Sequence, residues 1–158
     1  IDQILAIMPG EVASVTGINQ KRVWNHVTNA DHADVAITFT DGSRALFTNS
    51  DLAAARKPKF YVLGTTGAIV GNWDPAAGAT PADLSAILTI HRADGSSEVI
   101  PNSPVLPHSF HQSVVAYINN KTPMGVTTQQ SRDVVAIMQA AEDSALANGH
   151  PVKPVLLR

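Results

Sequence analysis

The sequence predicts an α+β fold, a predominantly antiparallel open β-sheet with helices packed on one face. Three observations carry this reading. Strand-turn-strand patterns fill the middle of the chain, helical periodicity fills the last third, and a short amphipathic stretch opens it. At 158 residues the chain suffices for one domain with a proper core and is too short for two ordinary ones. Residues 1–158 are therefore expected to form a single domain.

The opening "IDQILAIMPG" sets Ile1, Ile4, Leu5 and Met8 on one helical face, and Pro9-Gly10 stops the helix. A helix that begins uncapped inside its own apolar pattern reads as the continuation of a longer one. From Val12, "VASVTGINQKRVWNHV" reads as extended chain that turns or wanders near Gly17. In "DVAITFTDGSRALFTNS", Val35, Ile37 and Phe39 alternate with small and polar residues, and Asp41-Gly42 supplies a tight hairpin turn. "KFYVLG" and "GAIVGNW" form a second strand pair. A surface loop follows, "DPAAGATPAD", and then "LSAILTIHRADGSSEVIPN" repeats the hairpin pattern around Asp94-Gly95.

Two helices close the chain. "SFHQSVVAYINN" puts Phe110, Val114, Tyr117 and Ile118 on one face. The second starts at a Thr127-x-x-Gln130 capping box, turns Val134, Ile137 or Met138, Ala141 and Ala145 inward, and ends at Asn148-Gly149.

Composition narrows the function. Apolar residues make up 44% of the chain, charged residues 15%, and the net charge is -2, without the basic stripe that nucleic-acid binding calls for. The absence of cysteine removes disulfides, thiolate catalysis and zinc-thiolate sites. No apolar run approaches the roughly 20 residues of a membrane span. No nucleic acid, membrane or bound metal is expected.

"GTTGAIVGNW", Gly64 to Trp73, raises the question of a phosphate-binding loop. Its spacing, G-x-x-G-x-x-x-G, is not the dinucleotide fingerprint, and a short apolar run ended by Asn, Asp and Pro follows where a helix should begin. No Gly-Lys-Ser/Thr occurs either. The segment reads as a turn between strands, and this chain alone is expected to bind no cofactor.

Among the six histidines, His108 and His111 are three apart and His26 and His32 flank a polar stretch, but a metal needs three or four converging ligands. Asp31, His32 and Asp34 are read as a polar connection before a strand rather than an acid/base cluster. Arg56, Lys57 and Lys59 concentrate charge in a chain with eleven basic residues. They form either a solvated strand edge or a cationic wall that holds an anionic or hydroxylated substrate. Trp24 is either core or a substrate platform.

Several stretches together resemble the C-terminal domain of the Gfo/Idh/MocA family of NAD(P)-dependent oxidoreductases. "IDQILAIMPGEVASVTG" is similar to the helix after that family's catalytic motif and the strand beyond it. "DVAITFTDGSRALF" is similar to its hairpin, and "YVLGTTGAIVGNW" to its V-x-G-x-x-G-x-I segment. The tail "FHQSVVAYINNKTPMGVTTQQSRDVVAIMQAAEDSALANGHPV" is the most specific part of the likeness. The resemblance implies a longer enzyme in which an N-terminal Rossmann domain binds NAD or NADP and carries a Glu-Lys-Pro loop. Asp2 looks like the last residue of the family's H-x-x-D arrangement. The catalytic His and a further Asp would then lie upstream of Ile1, so no catalytic residue falls within the chain.

By the same resemblance, the chain is the substrate-binding and oligomerisation half of a cytoplasmic dehydrogenase for a sugar, polyol or related hydroxy compound, inactive alone. Arg56, Lys57, Trp24 and His26 are its candidate substrate contacts, the basic pair suiting an acidic or phosphate-bearing group. Its expected partners are the Rossmann domain, a small-molecule substrate and further copies of itself through the open sheet. The alternative is a stand-alone α+β interaction or dimerisation module without catalysis.

Overall fold

The computed structural model describes residues 1–74, 86–103 and 108–157. Most of the loop expected at "DPAAGATPAD", and Leu84-Ser85 of the strand expected after it, lie outside the described residues. These fall into two compact units, Ile1–Leu52 with Ser109–Arg158, and Ala53–His108.

The first unit holds α1 (Asp2–Ile7), the antiparallel sheet β1 (Val12–Gln20), β2 (His32–Phe39) and β3 (Arg44–Ser50), α2 (Ser109–Asn120) and α3 (Thr128–Leu146). The alternation read from β2 is borne out. Val35, Ile37 and Phe39 are buried with Val12 and Val15 of β1 against Ile137, Ala140 and Ala141 of α3. Ile1, Ile4, Leu5 and Met8 pack half-buried on that core, as the opening helical pattern predicts.

Helix α3 has the expected capping box. The Thr127 side chain accepts from the Gln130 N–H at 3.1 Å, and the Gln130 side chain accepts from the Thr127 N–H at 2.8 Å. Its buried stripe is Asp133, Ile137, Ala140, Ala141 and Ser144, so Ile137 rather than Met138 faces the core. Val134 and Ala145 are only half-buried. The small side chains on this stripe let α3 approach β1 closely. The expected end at Asn148-Gly149 is present, both residues having positive φ, and the Gly149 N–H reaches back to the Ser144 carbonyl at 2.8 Å.

Strand β1 runs unbroken through Gly17; the turn expected there does not form, and the register shifts instead between Val12 and Ser14. Gly17 is present because of space. A Cβ on it would lie 2.0 Å from the Ala141 carbonyl oxygen. The outer edge of β1 is covered by the C-terminal segment, through paired 2.8 Å bonds between Val15 and Val152. That segment is held in turn by the Asp133 carboxylate, which accepts from the Leu157 N–H at 3.0 Å.

The second unit is the antiparallel sheet β4 (Phe60–Leu63), β5 (Gly67–Trp73), β6 (Ala86–Arg92) and β7 (Ser97–Ile100). The α+β class and antiparallel pairing hold, with the strands divided between two open sheets.

The two Asp-Gly hairpins share one construction. Gly42 and Gly95 have φ of 85° and 86°, and Asp41 and Asp94 each accept from the N–H and hydroxyl of the serine two residues on. Only the glycine takes positive φ. The Phe39 N–H bonds to Ser43 O and the Gly42 N–H to Phe39 O, a three-residue loop in which glycine follows an ordinary turn. The serine hydroxyls, and then the serine amides, hold both carboxyls below their usual range.

Candidate functional site

The residues singled out from the sequence fall in both units. Trp24 and His26 belong to the loop between β1 and β2, and one buried carboxylate organises that loop. Asp31, 1% exposed, accepts from the backbone N–H groups of Arg22, Val23 and Trp24 at 2.7–3.0 Å. The Lys21 ammonium ties the other end by donating to the Val27 and Asn29 carbonyls. Val23, Trp24 and Val27 are exposed at 60%, 39% and 39% on this braced loop. Trp24 is thus a surface residue and not core, and His26 is exposed beside it.

The bond from Val23, then those from Trp24 and Arg22, hold the Asp31 carboxyl at about 2, against 3.8 for an ordinary Asp, even though burial opposes ionisation. Because the folded value is depressed, this brace is fully present above about pH 4 and is lost as pH falls toward 2. Hydrogen-exchange protection of the Arg22, Val23 and Trp24 amides should hold from neutral pH to about 4 and collapse below it. Asp31→Asn should lose that protection at every pH. Equal protection in the variant would assign the order of the loop to other contacts.

His32 and Asp34 pair at 3.1 Å on the sheet surface, and Thr48 donates to the other Asp34 oxygen at 2.6 Å. Asp31, His32 and Asp34 therefore divide between a buried brace and an exposed cross-strand network. His108 and His111 sit exposed at the start of α2. Among the described residues, no group of three or more His, Cys, Asp or Glu could hold a metal ion.

In the second unit, Arg56 and Lys57 lead into β4, and Trp73 at the end of β5 anchors them. The Trp73 indole N–H donates to the Lys57 carbonyl at 2.8 Å. The Arg56 guanidinium lies 5.1 Å from the Trp73 ring centroid and the Lys59 ammonium 5.3 Å from it. Sequence reading missed Trp73. The signal was the hairpin register: Phe60 pairs with Gly71, which brings the end of β5 back beside the residues that lead into β4.

The glycine segment does not fit a dinucleotide. The Gly64 N–H is spent on the Gly67 carbonyl at 2.8 Å, closing a turn from β4 into β5, and a strand follows where the phosphate site needs a helix.

Comparison with known proteins supplies the context. Residues 1–70, from α1 into β5, match the family model described as the GFO/IDH/MocA C-terminal domain. Over that stretch the chain is similar to a GFO/IDH/MocA C-terminal domain. The tail on which the sequence resemblance leaned lies outside the matched stretch, and there the fold carries the likeness.

An NAD-binding protein from Listeria innocua superposes on 97% of the chain with a TM-score of 0.70 and 21% identity. A Bacillus subtilis protein assigned as an oxidoreductase, yvaA, covers 99% with a TM-score of 0.75 and 17% identity. The UDP-N-acetylglucosamine 3-dehydrogenase GnnA of Acidithiobacillus ferrooxidans covers 92%, with a TM-score of 0.72 and 14% identity. The chain spans less than half the length of each, 44%, 47% and 44%. Among curated proteins none matches the sequence. No helix of the described residues is long and apolar enough to cross a membrane.

Proposed function

We propose that these 158 residues act together as the substrate-binding and oligomerisation half of a cytoplasmic NAD(P)-dependent oxidoreductase for a sugar, polyol or related hydroxy compound. The observation that carries this reading is coverage. A fold matching nearly all of this chain accounts for only 44% of an NAD-binding protein, which leaves room for a separate cofactor half.

In that arrangement the Rossmann half would supply the nicotinamide that accepts or donates hydride. This chain's contribution is to bind and orient. The braced Trp24 loop offers a rigid aromatic surface, and the Arg56-Lys57 turn offers fixed positive charge. The expected catalytic His and Asp lie upstream of Ile1.

The experiment is expression of the gene with the coding sequence upstream of Ile1. The longer polypeptide should reduce NAD or NADP with a polyol or sugar as hydride donor, and the 158-residue chain alone should show no turnover. A longer polypeptide that neither binds nor reduces either cofactor would overturn the reading. Turnover by the short chain alone would overturn it equally.

A second reading, a stand-alone dimerisation module, has one observation in its favour. Leu46, Tyr61, Leu63 and Val99 lie 61–75% exposed on the strands. Self-association without any cofactor-dependent activity of the longer polypeptide would favour it.

A further inference from the structure

The turn Arg56-Lys57-Pro58-Lys59 is built more firmly than a solvated strand edge requires. Edge lysines that only discourage strand pairing project into water. Here the Trp73 indole fastens the backbone through the Lys57 carbonyl at 2.8 Å and lies under both the Arg56 guanidinium and the Lys59 ammonium. The Lys59 ammonium also lies 5.8 Å from the Phe60 ring centroid, and the Lys59 N–H bonds to the Gly71 carbonyl at 2.7 Å. Pro58 fixes one more backbone angle between the Arg56-Lys57 pair and Lys59.

A guanidinium over an aromatic ring uses its face and leaves its in-plane N–H fork available. Arg56 and Lys57 are exposed, and among the described residues neither cation has a carboxylate partner. The turn therefore presents an oriented fork with a second cation on the next residue.

We infer that this turn is a binding site for a phosphoryl group. A phosphoryl dianion takes two parallel bonds from the Arg56 fork and keeps a second charge for the Lys57 ammonium. A carboxylate is neutralised by the fork alone and gains less from Lys57. Trp73 acts as the positioning residue: its ring lies against the Arg56 guanidinium and its N–H fastens the backbone at Lys57. The inference rests on taking this turn as substrate-facing, and it narrows the proposed substrate to one bearing a phosphate or diphosphate.

The test uses the 158-residue chain carrying Trp24→Phe, so that Trp73 is the sole indole and its emission reports on the site. Inorganic phosphate, pyrophosphate and acetate are titrated at constant ionic strength. Phosphate and pyrophosphate should give a saturable change in emission, with acetate at least several-fold weaker.

Adding Arg56→Gln should weaken pyrophosphate binding about tenfold or more, the loss expected for a hydrogen bond between charged partners. Arg56→Lys should fall between the two, since it keeps the charge without the fork. Circular dichroism of each variant checks that the sheet is intact.

A response that chloride reproduces at matched ionic strength, or that survives Arg56→Gln, would overturn the site. Equal affinity for acetate would overturn the phosphoryl assignment. The titration involves neither cofactor nor hydride transfer. Its failure therefore leaves the oxidoreductase reading standing, and a failure of turnover leaves the anion site standing.

Discussion

Gly17→Ala should destabilise the first unit by about 3 kcal/mol or more, an unusually large effect for one added methyl group. The Cβ would sit 2.0 Å from the Ala141 carbonyl oxygen, 2.7 Å from its carbon and 3.0 Å from its Cα. These are main-chain atoms of α3, and no rotamer change can move them aside. Relief requires separating β1 from α3, which opens the core that Val15, Ile37, Phe39 and Ile137 fill. The same movement stretches the 3.0 Å bond from the Gly17 N–H to the buried Ser144 hydroxyl.

Backbone strain plays no part, because Gly17 is not among the positive-φ glycines. Gly42→Ala makes the opposite control, with open space around the Cβ and a φ of 85° that alanine tolerates poorly. It should cost about 1–2 kcal/mol. Chemical denaturation of both variants separates packing from strain. Equal midpoints for Gly17→Ala and the parent would show that α3 does not hold this close approach in solution.

What was legible in the sequence was whatever depends on near neighbours. Asp41-Gly42 and Asp94-Gly95 mark hairpins because a positive φ and a serine two residues past the Asp are local requirements. Thr127 and Gln130 mark a helix start because the two ends of a capping box lie within one turn. The alternation at Val35, Ile37 and Phe39 is legible because a strand's two faces differ by one residue.

What could not be read depends on which distant element arrives. Gly17 looks like a turn residue until α3 is packed on it. Asp31 looks like an ordinary loop acid, since three amides seven to nine residues back converge on it only once the chain has folded. Trp73 joins the basic turn only through the β4–β5 register. The division into two sheets is equally hidden, since each strand is similar in character and pairing alone separates β3 from β4.

Helix α2 shows the same limit from the other side. Its apolar face is real, yet Phe110, Tyr117 and Ile118 are 57%, 48% and 62% exposed. An amphipathic pattern states that a face can be covered; it does not name the cover.

The segment "GTTGAIVGNW" yields the second large effect, because its glycines differ in purpose. Gly67→Ala should destabilise the second unit by about 2–3 kcal/mol, whereas Gly64→Ala should change stability by about 0.5 kcal/mol or less. A Cβ on Gly67 would lie 2.4 Å from the His91 carbonyl oxygen and 3.4 Å from its carbon, main-chain atoms of the adjoining strand β6. Accommodating it means pulling β5 from β6 at the residue where their pairing begins, Gly67 opposite Arg92. A Cβ on Gly64 meets nothing nearer than the Gly67 carbonyl oxygen at 3.4 Å, an ordinary contact.

Neither glycine has positive φ, so a φ requirement cannot produce the contrast. A phosphate-binding loop would reverse it, since there glycines at the turn let the backbone approach the ligand and substitution costs binding rather than stability. Denaturation followed by Trp73 emission in the Trp24→Phe background reads the second unit directly. Equal destabilisation by the two substitutions would mean that the Gly64–Gly67 turn, and not the β5–β6 contact, is what requires glycine.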